Sequence, residues 1–285
     1  MKLEDISRIA VVGAGTMGQG IAQISGLAGY DVVLYDLNAD VLKIAQNNIS
    51  KNLDKGIDRG KLTHEDKEKT LKRITFSDNK DLLVADFIIE AIIEKLDVKK
   101  ELFETLESIN SEKTILASNT SSIPITRIAA GLKFPERFVG MHFFNPAHIM
   151  KLVEVISGVA TDETIANTTA ELARKLGKTP VMAADAPGFI VNRVARHFYV
   201  EGLKVLEEGV SDVKGIDRLV ESSGFRMGPF RLMDLIGVDT NYSVTESMFN
   251  AFHQDAKFRP SRIQQQKVDG GHHGRKSGRG FYTYD

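Results

Sequence analysis

Apolar runs alternate with helical patterns through roughly the first 185 residues of the chain. Continuous apolar runs predict buried strands at 9–15, 31–36, 74–78, 86–94, 114–121, 137–145, 151–157 and 179–185. Helical spacing between them predicts helices at about 19–29, 39–56, 63–71, 97–109 and 162–176. Alternation of this kind is typical of a mostly parallel sheet covered by helices on both faces.

The pattern changes at PGFIVNR, residues 187–193. From there to about Phe249 the apolar spacing is helical and no strand is evident. We therefore expect an α/β domain over residues 1–186, with an inserted helical hairpin at about 40–73, and a smaller all-α domain over 187–285. The Gly-rich, basic stretch at 270–280 is expected to be a loop.

Charge and composition remove several function classes. The 37 Lys and Arg balance 38 Asp and Glu, for a net charge of −1, which gives no reason to expect nucleic acid or a membrane surface as partner. There is no cysteine, so disulfides, thiolate metal sites and cysteine nucleophiles are excluded. No apolar run is long enough to span a membrane, and the N-terminus lacks the features of a signal peptide, so we expect a cytoplasmic protein.

The first strand ends in a glycine motif. VVGAGTMG places Gly13, Gly15 and Gly18 in the spacing G-x-G-x-x-G between a strand and a helix. The second strand ends at Asp36, where a carboxylate accepts both ribose hydroxyls and repels a 2′-phosphate. This combination predicts a Rossmann-type domain that binds NAD(H) in preference to NADP(H).

Two ionisable residues interrupt late apolar strands. His142 and Glu154 lie in the apolar segment GMHFFNPAHIMKLVEVI. An isolated buried charge would be costly there, so we expect the two side chains to interact with each other. From the residues alone, a satisfied core pair and an acid/base pair both remain open. As an acid/base pair, the Glu154 carboxylate would orient the His142 imidazole, which would exchange a proton with a substrate oxygen during hydride transfer.

Other polar positions are less specific. Ser121 in SNTSS and Asn192 in PGFIVNR can each contact a substrate or serve only structure. The basic segment 51–61 is either a solvated helix face or an arm for the phosphates of a ligand such as coenzyme A. His272 and His273 have no third ligand nearby in the sequence, so no metal site is expected.

Five segments together resemble the L-3-hydroxyacyl-CoA dehydrogenase family, and the bacterial short-chain members that act on 3-hydroxybutyryl-CoA most of all. These segments are GAGTMGQGIAQ, SNTSSIPIT, GMHFFNPAHIMKLVEVI, PGFIVNR and GRGFYTY, and they extend over essentially the whole chain. The resemblance implies a cytoplasmic, NAD-dependent enzyme that interconverts (S)-3-hydroxyacyl-CoA and 3-oxoacyl-CoA and forms a homodimer through its helical domain.

The resemblance also implies roles for individual residues. His142 would be the general acid/base, Glu154 its orienting partner, and Ser121 and Asn192 the residues that hold the substrate. Cofactor contacts would come from Gly13, Gly15, Thr16, Met17, Gly18, Asp36, Glu94, Lys99, Asn119, Asn145 and Lys276. The helical hairpin would cover coenzyme A, with contacts from Asn52, Lys55 and Arg59.

The sequence departs from the family pattern at three positions. Arg226 and Arg231 stand where relatives usually carry uncharged or acidic residues, and Asn52 stands where some relatives have serine. These departures leave the acyl-chain preference open, and the direction and pathway are open as well. Two other functions remain to be compared: a dehydrogenase for a hydroxy acid not linked to coenzyme A, and an NAD-binding sensor without turnover.

Overall fold

A computed structural model describes residues 1–284 of the chain, which fall into two compact units, Met1–Ala186 and Pro187–Asp285. The first unit contains eight strands: β1 Arg8–Val12, β2 Asp31–Tyr35, β3 Ile74–Ser77, β4 Phe87–Glu90, β5 Ile115–Ser118, β6 Phe138–Phe143, β7 Leu152–Ser157 and β8 Thr179–Ala184. Its helices are α1 Thr16–Leu27, α2 Ala39–Asp58, α3 His64–Arg73, α4 Leu96–Ile109, α5 Ile125–Ala129 and α6 Glu163–Lys175.

The strands form one mixed sheet in the order β3-β2-β1-β4-β5-β6-β7-β8. The strands from β3 to β6 in this order run parallel, whereas β7 is antiparallel to β6 and β8 is parallel to β7. The central strands are buried except for Arg8 at the start of β1, which explains their continuous apolar sequences. The expected α/β class with a mostly parallel sheet is confirmed.

The helical hairpin consists of α2 and α3. The buried face of α2 carries Leu42, Ala45, Ile49 and Leu53 at helical spacing, so the helix is held by packing against the domain. Thr63 and Asp66 form a capping box at the start of α3, with each side chain accepting from the other residue's backbone N–H. The hairpin is therefore an ordered part of the first unit.

Several predicted boundaries were wrong. The strand predicted at 86–94 ends at Glu90, because its neighbours β1 and β5 also end there, at Val12 and Ser118. The first helix begins at Thr16 rather than residue 19, since Gly15 already serves as its N-cap. The short helix α5 lies where the sequence predicted no element.

The second unit is helical. Its helices are α7 Val191–Glu207, α8 Val213–Ser222, α9 Pro229–Ile236, α10 Val238–Ala251 and α11 Arg262–Asp269, which confirms the expected all-α region. The core of this unit contains Tyr199, Leu203, Ile216, Phe230 and Met233. The C-terminal tail is anchored, because the buried carboxylate of Asp234 accepts from Phe281 N, Tyr282 N and the Tyr284 hydroxyl.

Candidate active site

The glycine motif forms the turn between β1 and α1. Gly13 has φ +102°, a conformation that glycine adopts readily, and a Cβ there would lie 2.6 Å from the Ala91 oxygen. A Cβ at Gly18 would lie 1.7 Å from the Gly13 oxygen, so the turn and the helix can approach this closely only with glycine. The Cβ position at Gly15 meets no described atom within 4 Å. The loop thus combines a rigid base with an open face at a helix N-terminus, which suits a pyrophosphate.

Asp36 links the end of β2 to this loop. Its Oδ2 accepts from Ala14 N at 2.8 Å and its Oδ1 accepts from Asn38 N at 3.0 Å. Thr16 and Met17 are the first residues of α1, with Thr16 exposed and Met17 half-buried. The sequence-predicted cofactor residues at this end of the sheet are therefore brought together by the fold.

His142 and Glu154 form a buried pair across β6 and β7. They are register partners in the antiparallel ladder, so both side chains lie on the same face of the sheet. His142 Nδ1 lies 2.7 Å from Glu154 Oε2, and the two residues are 6% and 1% exposed. A carboxylate at Nδ1 fixes the imidazole tautomer and stabilises the imidazolium, so exchange of a proton with a bound molecule would use Nε2. The ring of Phe144 lies 4.5 Å from the imidazole ring and limits its movement.

Ser121 lies in a loop organised by Glu94. The Oε1 atom of Glu94 accepts from the Thr120 hydroxyl at 2.6 Å, Ser121 N at 2.9 Å and Ser122 N at 3.2 Å, and lies 3.3 Å from Ser121 Oγ. Burial acts to raise the pKa of Glu94, but the Lys99 ammonium and these hydrogen bonds outweigh it and lower the pKa. Glu94 therefore stays ionised and acts as the acceptor around which the loop folds.

Behind Glu94 lies a second carboxylate, Glu90, which the sequence reading did not assign to the site. Lys99 Nζ lies 2.5 Å from Glu90 Oε1 and 3.2 Å from Glu94 Oε2, and the Lys99 side chain is 1% exposed. Burial raises the pKa of Glu90, and Lys99 opposes the rise. The available signal was a charged residue inside the apolar run FIIE, the same kind of signal that identified Glu154.

Asn119 connects the ends of two strands, because its Oδ1 accepts from Phe143 N at 2.8 Å. Asn145 is exposed and precedes Pro146 through a cis peptide bond. The loop that follows is held by a second residue missed in the sequence, Lys178, whose buried ammonium donates to the carbonyls of Ala147 and Met150. Burial lowers the pKa of Lys178 to about 8, and the nearby Lys151 adds to the effect.

The proposed coenzyme A contacts lie near the end of α2. Asn52 and Lys55 lie three residues apart on one face of α2, and Arg59, four residues further on, is the C-cap of the helix. Lys55 and Arg59 are exposed. Burial lowers the pKa of His148, and the positive charges of Lys178 and Lys55 lower it further.

The second unit carries three of the residues named from the sequence. Asn192 is the second residue of α7. Lys276 Nζ donates to Asp239 Oδ2 at 2.7 Å, so it forms an ion pair with α10. Arg226 is exposed and lies beside a cavity of about 760 Å³ whose lining includes Val194, Phe198, Phe225 and Leu235.

Metal binding and membrane spanning find no support in the part of the chain that the structure describes. Within residues 1–284 no group of three or more His, Cys, Asp or Glu side chains is placed to hold a metal ion. His273 instead contacts the Val268 carbonyl at 3.2 Å. None of the helices in the same range is both long and apolar enough to cross a membrane.

Family models match both units of the chain. Residues 8–186 match the 3-hydroxyacyl-CoA dehydrogenase NAD-binding domain, and residues 188–284 match the C-terminal domain of the same family. The chain belongs to the 3-hydroxyacyl-CoA dehydrogenase family. The resemblance noted in the sequence is thereby confirmed, together with an NAD-binding first domain.

Individual family members agree with this assignment. The chain is 49% identical to a 3-hydroxyadipyl-CoA dehydrogenase of Escherichia coli over 98% of its own length, but it spans only 59% of that longer protein. It is 42% identical to a 3-hydroxybutyryl-CoA dehydrogenase of Bradyrhizobium diazoefficiens, covering 98% of this chain and 96% of the relative. The solved structure of (S)-3-hydroxybutyryl-CoA dehydrogenase PaaH1 from Ralstonia eutropha is 39% identical and superposes with a TM-score of 0.94, covering 98% and 99% of the two chains.

Proposed function

We propose that the protein interconverts (S)-3-hydroxyacyl-CoA and 3-oxoacyl-CoA with NAD(H), and that short chains such as 3-hydroxybutyryl-CoA and acetoacetyl-CoA are its substrates. The observation that carries the proposal is the buried pair of His142 and Glu154, 2.7 Å apart, in a domain that also presents a dinucleotide-binding loop. Oxidation of an alcohol to a ketone removes a hydride and a proton together. It therefore needs both a dinucleotide to take the hydride and an acid/base residue to take the proton.

His142 is the general base in oxidation and the general acid in reduction. Its Nε2 accepts the proton of the 3-hydroxyl group, and the resulting imidazolium is stabilised by Glu154 at Nδ1. Bound NAD+ supplies the acceptor for the hydride of carbon 3. Ser121 and Asn192 hydrogen-bond the 3-oxygen and the thioester region, and so orient the substrate for the transfer.

The remaining contacts belong to the cofactor and to coenzyme A. The glycine loop holds the pyrophosphate, and Asp36 accepts from the adenosine ribose, where a 2′-phosphate would be repelled, so NADH is preferred over NADPH. Asn52, Lys55 and Arg59 on the hairpin attract the phosphates of coenzyme A. We propose that two copies of the chain associate through the helical domain, as the family resemblance implies.

A second candidate within the same activity is an acyl chain that ends in a carboxylate, as in 3-hydroxyadipyl-CoA, because one of the relatives is a 3-hydroxyadipyl-CoA dehydrogenase. The residue that we propose for such a carboxylate is Arg226. Its side chain is exposed beside the apolar cavity, and no carboxylate among residues 1–284 forms a salt bridge with it. Arg231 differs, because Glu221 already neutralises it at 2.9 Å. A guanidinium beside an apolar surface suits a short dicarboxylic chain, whose methylene groups pack while its terminal carboxylate binds arginine.

The test is loss of NADH absorbance with acetoacetyl-CoA, with 3-oxoadipyl-CoA, with acetoacetate alone and with NADPH in place of NADH. We expect rapid loss only with the CoA esters and NADH. Turnover of acetoacetate without coenzyme A would favour a hydroxy-acid dehydrogenase, and NADH binding without turnover of any substrate would favour a sensor.

Arg226→Gln decides between the two chain types. If a dicarboxylic chain is the substrate, the KM for 3-oxoadipyl-CoA rises about tenfold, since a hydrogen-bonded charge pair contributes about 1.5 kcal/mol or more. The KM for acetoacetyl-CoA stays unchanged. Arg218→Gln, which alters an exposed arginine of the same domain away from the cavity, is the matched control. Equal KM changes for both esters would remove the dicarboxylic candidate and leave the short-chain proposal intact.

A further inference from the structure

Glu90 and Lys99 form a buried ion pair beneath the Ser121 loop. Glu90 is the last residue of β4 and is 0% exposed, and Lys99 is buried on α4 with 1% exposure. Their charged atoms lie 2.5 Å apart. The carboxylate of Glu90 also accepts from Ser118 Oγ at 2.6 Å and from Ile92 N at 2.7 Å.

The same lysine reaches the carboxylate that organises the loop. Lys99 Nζ lies 3.2 Å from Glu94 Oε2, while Glu94 Oε1 accepts from Thr120, Ser121 and Ser122. The two oxygens of Glu94 are thus divided between the ammonium on one side and the loop donors on the other. Any shift of Lys99 would carry the Glu94 carboxylate, and therefore its acceptor atom, to a new position.

The side chains of Glu90, Lys99 and Glu94 are held rigidly, because each charge needs the others as partners. A buried carboxylate without its cation is strongly unfavourable, so Glu90 and Lys99 hold each other in place. Ser118 and the backbone of Ile92 satisfy the remaining acceptor positions of Glu90. Buried hydrogen-bonded groups of this kind orient the residues that contact a ligand, as supporting side chains do in engineered sites.

We infer that Glu90 and Lys99 are positioning residues that fix Glu94 and, through it, the backbone and hydroxyl of Ser121. The inference rests on the proposed role of Ser121 in holding the substrate oxygen. It adds this role of Lys99 to the cofactor contact that the family resemblance implies. The ammonium lies between two carboxylates inside the domain, with 1% of the side chain exposed.

The test is a double-mutant cycle on acetoacetyl-CoA reduction. One arm is the pair variant Glu90→Gln with Lys99→Met, which replaces the ion pair by uncharged side chains of similar size. The other arm is Ser121→Ala. We expect each arm to lower kcat about tenfold or more, and the combined variant to lose no more than the worse of the two, because both remove the same positioned contact. The Kd for NADH, measured on the same variants, separates a loss of turnover from a loss of cofactor binding.

Glu107→Gln is the matched control. Glu107 forms another buried ion pair of the same domain, with Arg137 at 3.4 Å, and its carboxylate accepts from Lys133 N and Phe134 N instead of from the Ser121 loop. We expect Glu107→Gln to lower stability. Any loss of kcat that it causes should multiply with the loss caused by Ser121→Ala, because the two changes act independently. If the pair variant does not fold, Lys99→Met alone enters the same cycle, since it removes the contact with Glu94 and leaves the buried Glu90 able to bind a proton.

The outcomes separate the inference from the function on which it rests. If the losses of kcat caused by the pair variant and by Ser121→Ala multiply in the combined variant, as they do for the Glu107 control, the positioning role is overturned. A large loss of NADH affinity with unchanged kcat would also overturn it, and would leave Lys99 with the cofactor contact alone. A wild-type protein that binds NADH but reduces no CoA ester would overturn the proposed function and this inference together.

Discussion

At the scale of single residues, charged side chains within apolar runs were the most informative feature of the sequence. Glu154 and His142 could be paired in advance, because a buried charge requires a partner and both lay on neighbouring strands. The same rule applied to Glu90, yet its partner Lys99 could not be identified. The predicted strand continued to residue 94, which concealed the turn that brings Lys99 back to β4.

The glycine motif makes a prediction that separates folding from cofactor binding. In Gly18→Ala the new Cβ lies 1.7 Å from the Gly13 oxygen, so the helix or the turn must move. We expect a cost of about 3 kcal/mol and a fall in melting temperature of roughly 10 °C. In Gly15→Ala the new Cβ meets no described atom within 4 Å, and φ is −66°, so stability is unchanged.

Cofactor affinity should respond to Gly15→Ala even though stability does not. The Cβ of Gly15→Ala occupies the open face of the loop, where the pyrophosphate would lie, and we expect NADH affinity to fall at least tenfold. Melting curves and NADH fluorescence titrations measure both quantities. Wild-type affinity in a fully folded Gly15→Ala variant would show that the dinucleotide does not use this loop.

At the scale of elements, the sequence predicted most strands and helices but not what holds the loops between them. Apolar periodicity predicts buried segments well, because burial and period are directly linked. The loop between β6 and β7 depends on Lys178, which lies 31 and 28 residues beyond the two carbonyls that it binds and was one basic residue among many. Only the folded chain shows that its ammonium lies beneath two carbonyls.

Lys178 predicts a specific pH dependence of stability. Its pKa is about 8 in the folded protein and 10.5 when unperturbed, so between these values the unfolded chain binds a proton that the folded chain has lost. The free energy of unfolding therefore gains a contribution that rises with pH from about 8 to 10.5. Below pH 8 the burial penalty on the charged lysine is fully present.

Urea unfolding of the wild type and of Lys178→Met at pH 7.5 and pH 10 measures this contribution. Relative to the variant, the wild type should become more stable as the pH rises. Lys175→Met, which alters an exposed lysine of the same segment, should follow the wild type across this range. Identical pH dependence of the wild type and Lys178→Met would contradict the lowered pKa.

At the scale of the whole molecule, the change of pattern at residue 187 predicted a separate helical region. The structure shows a compact unit that begins at Pro187. Its shorter helices, α8, α9 and α11, contain only eight to ten residues, too few for periodicity to define reliably. The anchored tail could not be foreseen, because it depends on Asp234 accepting hydrogen bonds from a segment about 50 residues later.

The central claim is that a buried imidazole and its carboxylate carry out proton transfer for an NAD-dependent dehydrogenase. The most direct measurement is the rate of acetoacetyl-CoA reduction by NADH in His142→Gln, with the Kd for NADH and the circular dichroism spectrum determined on the same sample. We predict that kcat falls by about 10²–10⁴, the usual contribution of general acid–base catalysis, while fold and NADH affinity stay unchanged. Near-wild-type turnover in a folded, NADH-binding variant would contradict the claim and return His142 and Glu154 to a structural pair of the sheet.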